Sequence, residues 1–199
     1  MNLFPTDKMV FDLPDAKIEY YPNFFTENEA NALFRQLLTD IQWQQDDITV
    51  FGKTYQQPRL TAFFGNEGKP YSYSNITMQP HSWNELLIKI KSKVEVTTGH
   101  TFSSVLLNLY RDGRDSNGWH ADNEKELGQN PIIASVSFGE KRVFQLKHNT
   151  IKDLKQNITL DNGSLLLMKG TTQHYWKHQI PKTAKPINQR INLTFRTVL

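Results

Sequence analysis

The chain is predicted to be a mixed, mainly β protein, a sandwich or jelly-roll barrel buttressed by N-terminal helices. Two observations predict this. After Gly99 the sequence breaks into short apolar segments separated by turn residues, the pattern of an antiparallel barrel or sandwich. Before Gly99 lie two amphipathic stretches whose apolar residues recur at helical spacing.

Residues 1–25 read as irregular, punctuated by Pro5, Pro14 and Pro22. Thr26 to Trp43 is the clearest helix. Thr26 and Glu29 form a capping box, and Ala30, Leu33, Phe34, Leu37, Leu38 and Ile41 line one face. Thr49 to Thr54 reads as a hairpin with its tip at Phe51-Gly52. PRLTAFFGNEGKPYSYS then places Phe63, Phe64, Tyr71 and Tyr73 around a turn rich in Gly and Asn. A second helix is expected from about Pro80 to Thr97, with Trp83, Leu86, Leu87, Ile90 and Val94 on one side and Gly99 as its stop. The strands expected next are 102–111, 132–138, 142–147, 156–160, 164–168, 174–179 and 190–198.

Composition bounds the class. The chain has 199 residues, enough for one domain with a full core, and 38% apolar content. Mean hydropathy is −0.57, and apolar runs such as Ser164 to Met168 are too short to span a bilayer. A charged region followed by an apolar one is missing from the N-terminal stretch, so no secretory signal or membrane attachment is expected. There is no cysteine, which excludes disulfides and thiolate metal sites and fits a cytoplasmic protein. Net charge is +3 with a pI near 9.0, which permits a polyanionic partner without demanding one. Basic residues crowd the last third, among them Lys141, Lys147, Lys155, Lys177 and Lys182.

The candidate chemistry begins at Asn108 to Glu124. In extended chain Asn108 and Tyr110 share one face, and His120 and Asp122 share another. A His-x-Asp pair is two-thirds of a metal site but arises too often by chance to stand alone. The expected strand His174-Tyr175-Trp176-Lys177-His178 offers two histidines on one face, and either could complete the set. Two histidines and a carboxylate on one side of a metal leave the opposite positions open, which suits non-haem Fe(II). In Arg190-Ile191-Asn192-Leu193-Thr194-Phe195-Arg196 polar and apolar residues alternate. Either the polar set faces water on an open sheet, or it points into a barrel. The second case would require an anionic partner, and a dicarboxylate held by Asn108, Tyr110, Arg190, Asn192 and Arg196 would satisfy all five.

HADNE at 120–124, WKHQIP at 176–181 and RINLTFR at 190–196 resemble the AlkB family of Fe(II)- and 2-oxoglutarate-dependent dioxygenases. The resemblance runs from about Pro22 to the C-terminus. It extends to VFGK at 50–53, PRLTAFFG at 58–65, PYSYS at 70–74 and PIIASVSFG at 131–139. These look most like the homologues that repair alkylated DNA, including the double-strand-acting one.

The resemblance implies a double-stranded β-helix over a single 1–199 domain, with 48–75 as nucleotide-recognition hairpins or lid. It implies Fe(II) on His120, Asp122 and His178, the last chosen over His174 by its WxH-x-x-P context. It implies 2-oxoglutarate on Asn108, Tyr110, Arg190, Asn192 and Arg196, with Arg190 at the distal carboxylate and Arg196 nearer the metal. O2 and 2-oxoglutarate would be consumed and succinate and CO2 released. A hydroxylated N-methyl group on a base such as 1-methyladenine or 3-methylcytosine would leave as formaldehyde. The implied partner is alkylated DNA, duplex or single-stranded, met by a monomer, with RNA a further candidate. Reaching a paired base requires flipping it out. Phe51 would wedge into the gap, while Tyr71, Tyr73, Phe63 and Phe64 offer stacking faces, at least two of the four being expected in the core. Lysines around Lys141, Lys147 and Lys182 would meet phosphates. One departure stands out. The double-strand-acting homologue has a carboxylate directly after the metal aspartate, and here that position is Asn123, with Glu124 next to it. An oxygenase acting on RNA, protein or a small molecule, and a non-catalytic binding module, are the competing expectations.

Overall fold

The computed structural model describes residues 8–50, 52–66, 71–73 and 76–199, and the side chains of all of these except 49–50, 71–73 and 76–78. The expected Phe51 wedge and the Tyr71 and Tyr73 side chains lie outside the described set.

In chain order the elements begin with β1 (Met9–Phe11), β2 (Lys17–Tyr21), α1 (Glu27–Asp40), β3 (Asp47–Val50), β4 (Lys53–Gln56) and β5 (Leu60–Gly65). Next come β6 (Tyr71–Tyr73), β7 (Ile76–Met78), α2 (Glu85–Thr98), β8 (Ser104–Tyr110), β9 (Asn117–His120) and β10 (Ile133–Gly139). The chain finishes with β11 (Arg142–His148), β12 (Lys155–Leu160), β13 (Ser164–Lys169), α3 (Thr172–Tyr175), β14 (Trp176–Ile180) and β15 (Arg190–Arg196). A seven-stranded sheet of order β1-β2-β13-β10-β15-β8-β5 faces a four-stranded sheet of order β12-β11-β14-β9. β3-β4 and β6-β7 are separate hairpins.

This is the jelly-roll expectation with its helices in place, and the burial pattern explains why. All seven residues of β8 are buried, because the large sheet is covered on both faces. Val105, Leu107 and Leu109 pack with Leu33, Leu37, Leu87 and Ile90 from the helices. Leu106 and Tyr110 turn the other way and pack with Phe144, Leu146 and Ile180 of the small sheet. β15 divides in the same way: Ile191, Leu193 and Phe195 join the helix-side core. Arg190, Asn192, Thr194 and Arg196 are buried on the barrel side. Each fully buried leucine contributes about 1.5–3 kcal/mol.

α1 carries the full capping box. Thr26 Oγ1 accepts from Glu29 N, and Glu29 Oε2 accepts from Thr26 N at 2.9 Å. Its end at Asp40 falls short of the expected Trp43, since Ile41 leaves helical geometry. α2 starts at Glu85 rather than Pro80. Asn84 Oδ1 accepts from Leu87 N at 2.8 Å and caps it, while Trp83 Nε1 donates to Asn66 Oδ1 at 3.0 Å. Gly99 closes this helix in the left-handed conformation.

Two expectations are corrected. Residues 1–25 are not wholly irregular: β2 pairs with β13, with Leu166 opposite Tyr20. Pro14 and the left-handed Asp15 mark the turn between β1 and β2 rather than a structureless arm. The expected strand 174–179 begins late, because 172–175 form a helical turn in which His174 N donates to Thr171 O at 2.9 Å. His174 is exposed and shares no strand face with His178. Phe63 and Phe64 are both core, 2% and 7% exposed on opposite faces of β5, which agrees with the expectation that at least two of the four aromatic residues are packed inside.

Candidate active site

The inner face of the small sheet and the strand-like segment after it bring three donors together. β9 pairs with β14 so that His120 lies opposite His178. Their rings stand 4.3 Å apart, centre to centre, and Phe144 stacks on His178 at 5.0 Å. Asp122 Oδ2 lies 3.8 Å from His178 Nε2. The ligand atoms of His120, Asp122 and His178 all fall within 4.8 Å of one another, and these three are the metal-binding cluster found among the described residues.

Their protonation suits a divalent ion. His120 Nδ1 lies 2.7 Å from the Gly118 carbonyl, which makes Nδ1 the protonated nitrogen and leaves Nε2 with its lone pair. Burial lowers the pKa of His120, and burial with the neighbouring His120 pushes His178 down to about 3. Burial alone would raise Asp122, but the Arg196 charge, the two histidines and the Arg196 hydrogen bond hold it at about 2. At neutral pH the set is two neutral imidazoles and one carboxylate, a facial donor set that fits Fe(II).

β15 and β8 build the adjoining wall. Their register sets Arg190 opposite Tyr110 and Asn192 opposite Asn108. One pocket is lined by Asn108, Tyr110, His120, Asp122, His178, Arg190, Asn192 and Arg196 together. So eight of the sequence-derived residues converge, and the buried alternative for the last strand is the one realised.

Three of the five side chains expected to meet a dicarboxylate also bond within the protein. Asn108 Oδ1 accepts from Arg59 Nε at 2.7 Å. Asn192 Nδ2 donates to Ser135 Oγ and the Val136 carbonyl, and its Oδ1 accepts from Thr194. Arg196 Nη2 donates to Asp122 Oδ1 at 2.7 Å. Arg190 differs. It is 1% exposed, its Nη2 donates to Ser137 Oγ at 2.9 Å, and its Nε and Nη1 make no hydrogen bond among the described residues. Burial pulls the guanidinium down to about 10 against the favourable influence of Tyr110, so it remains a cation at neutral pH. A buried cation with open donors is costly unless an anion completes it, and a carboxylate matches its fork.

Asn123 is exposed and Glu124 half-buried, at the turn leading into Lys125–Leu127. Neither lines the pocket, so the two stand beside its rim rather than within it.

Three contributors were not singled out from the sequence. Arg59, 4% exposed, joins Asn108 to the Ser116 carbonyl. Gln173 Oε1 accepts from Asp122 N at 2.9 Å and fixes that backbone. Arg142 donates to the carbonyls of Asp115 and Pro181 and stands 5.6 Å from the Tyr110 ring. Nothing in the residue order around Gln173 or Arg142 marks them as site residues, and Arg59 shows only as a basic residue before the apolar run LTAFF.

Comparison with known proteins agrees with this geometry. The profile of the 2OG-Fe(II) oxygenase superfamily matches residues 17–196. Alpha-ketoglutarate-dependent dioxygenase alkB homolog 3 of Bos taurus is 45% identical over 193 residues, covering 89% of this chain and 64% of that protein. The Homo sapiens counterpart is 43% identical, covering 92% of this chain and 66% of its own length. The chain thus spans just under two thirds of these relatives. DNA oxidative demethylase ALKBH2 of Homo sapiens is 36% identical, covering 90% of this chain and 72% of that protein. A solved structure of OsALKBH1 aligns with a TM-score of 0.66 at 17% identity, covering 95% of this chain and 100% of that one, which bears on the fold alone. By profile, by identity and by the His-Asp-His cluster beside a buried arginine pocket, the chain belongs to the 2OG-Fe(II) oxygenase superfamily and, within it, to the AlkB homologues.

Proposed function

We propose that this chain is an Fe(II)- and 2-oxoglutarate-dependent dioxygenase that oxidatively removes N-methyl groups, such as those of 1-methyladenine and 3-methylcytosine, from DNA. Succinate, CO2 and formaldehyde are the products. One observation carries the reading: the cluster His120, Asp122 and His178 opens on a pocket that also holds Arg190 with two buried, unbonded donors. An iron on that cluster supplies oxygen activation when bound.

The remaining work falls to the chain. His120 and His178 offer neutral nitrogens, and Asp122 offers the charge. Arg196, fixed on Asp122, orients that carboxylate and stands at the metal end of the pocket. Arg190 takes the distal carboxylate of 2-oxoglutarate, and Tyr110, 5.1 Å from the guanidinium, sets its plane. Asn108 and Asn192, with their other bonds already made, shape the wall between. Phe144, Leu160 and Met168 line the same pocket and limit water there.

Substrate recognition falls to residues 48–75 as a lid and to the rim. Arg59 supports this assignment, since it ties the foot of the β3-β4 hairpin region to Asn108. Phe51 acts as the wedge, Tyr71 and Tyr73 as stacking faces, and Asn123 and Glu124 meet the edge of the base. Asn123 hydrogen-bonds an exocyclic amine without adding charge, so Glu124 supplies the acid beside a cationic methylated base. DNA is favoured because the ALKBH2 relatives are named DNA oxidative demethylases, while the higher identities are to alkB homolog 3.

The test is repair of methylated oligonucleotides with Fe(II) and 2-oxoglutarate, on paired duplex and single-stranded forms. Duplex should be accepted at least as well as single strands, and Phe51→Ala should harm duplex repair more. No repair on either form, with iron demonstrably bound, would sink the assignment. Equal loss on both forms would remove the wedge.

A further inference from the structure

The small sheet has two faces of opposite character. Its inner face holds His120 and His178. On its outer face, Lys147 of β11 is the cross-strand partner of Lys155 of β12 and of Lys177 of β14. Three ammonium groups therefore form a row over three adjacent strands. Like charges placed opposite each other destabilise a sheet. Among the described residues none of the three is ion-paired to a carboxylate.

Lys147 lies instead over the indole of Trp119, 4.4 Å from the ring centroid. Trp119 is 37% exposed on β9, the edge strand of this sheet. It precedes His120 in sequence, as Lys177 precedes His178. The row thus sits directly behind the metal cluster, on the opposite side of one sheet, and ends at an open aromatic face. Gln145 and Gln179, bonded to each other at 2.7 Å, and Asn157 add uncharged polar groups beside it. Acids near its end of the sheet include Asp153, in the β11-β12 turn, and Asp15, 3.4 Å from His148 Nε2.

We propose that this outer face is a second binding track, one that takes the phosphate backbone of a single nucleic-acid strand. Trp119 stacks on a base where the strand rounds the β9 edge. The proposal rests on the nucleic-acid reading given above and extends it to a surface outside the pocket. Strands are about 4.8 Å apart, so the row is about 10 Å wide. A nucleic-acid strand presents about three charges over that length. Stacking on an exposed aromatic beside a cationic track is the general mode of single-strand binding. An acidic protein would match the charge but would leave the indole without a role.

The experiment uses the full chain and a long unmodified oligothymidylate. Binding is followed by anisotropy across a salt series and by tryptophan quenching. Replacing Lys147, Lys155 and Lys177 by Gln should flatten the slope of log K against log salt by about 2, at roughly 0.7 per phosphate contact. Trp119→Leu should remove part of the quenching. Should the triple variant unfold, Lys177→Gln alone should flatten the slope by about 0.7. An unchanged slope in both would overturn the track. So would wild-type binding to polyglutamate or to phosphatidylserine vesicles as tight as to the oligonucleotide, since the surface would then be a general polyanion or membrane contact. Turnover of a methylated trinucleotide, too short to reach the row, reports on the demethylase reading separately.

Discussion

Arg196 and Asp122 form a buried ion pair, Nη2 to Oδ1 at 2.7 Å, with both side chains at most 4% exposed. The pair joins the last strand of the large sheet to the metal cluster on the small one. Removing one member leaves a buried charge, at a cost of about 3–5 kcal/mol. Metal-free Arg196→Ala should lose stability of that order in denaturant unfolding. A loss near zero would mean that Asp122 is compensated from elsewhere.

His178 and His174 separate cleanly. One is buried in the cluster and the other is exposed on the helical turn. His178→Ala should weaken Co(II) or Fe(II) binding by more than about 100-fold, beyond what loss of a supporting group costs, while His174→Ala leaves it unchanged. Gln173→Ala, which frees the Asp122 backbone, should fall between them at about 10–100-fold. Calorimetric metal titration reads all three. Equal loss in the two histidine variants would contradict the geometry.

This pair also marks what the sequence could and could not reveal. The alternation in RINLTFR is visible in the residue order, and it survives because β15 is covered on both faces. The histidine spacing misled, because His174 and His178 look like strand neighbours. Gly170, at φ 59°, turns the chain, and Thr172 Oγ1 bonds the Lys169 carbonyl, so a helical turn intervenes. β2 was hidden because KIEYY mixes charge with apolar residues. Its alternation serves pairing at the sheet margin, where Glu19 meets Lys169. Arg59 and Gln173 could not be read as site residues, since their roles depend on contacts 49 and 51 residues away.

Tyr110 lies within reach of two guanidiniums, Arg190 at 5.1 Å and Arg142 at 5.6 Å from its ring. Arg142 also bridges the loops after β8 and β14 through carbonyl bonds. Lysine has neither the fork nor the flat face for both tasks. Arg142→Lys should weaken 2-oxoglutarate binding about tenfold, the scale of one such contact, when measured by calorimetry with Mn(II) in place of iron. Unchanged affinity would confine Arg142 to holding the loops.

The capping box gives a pH signature. The Thr26 backbone hydrogen bond, with the Thr26 side chain, lowers the Glu29 pKa from its ordinary value of 4.5. A carboxylate whose pKa is lower in the folded state contributes stability that is complete above the unfolded value. That contribution disappears as pH falls through the folded one. Glu29→Gln should therefore reduce the acid-side decline of stability below pH 4.5, and Thr26→Ala should cost about 1 kcal/mol at neutral pH. Thermal unfolding over a pH series checks both. An identical acid limb in wild type and Glu29→Gln would refute the linkage.

The central claim is that the His-Asp-His cluster and the Arg190 pocket work together on a methylated base. The most direct measurement is the ratio of succinate to formaldehyde formed by the wild-type chain with Fe(II), 2-oxoglutarate, O2 and a 1-methyladenine oligonucleotide. The account predicts both products in equal amounts, with neither formed by His178→Ala and both sharply reduced in Arg190→Met. Succinate without formaldehyde on every methylated oligonucleotide tried would contradict the substrate. Neither product, with iron and 2-oxoglutarate both bound, would contradict the chemistry itself.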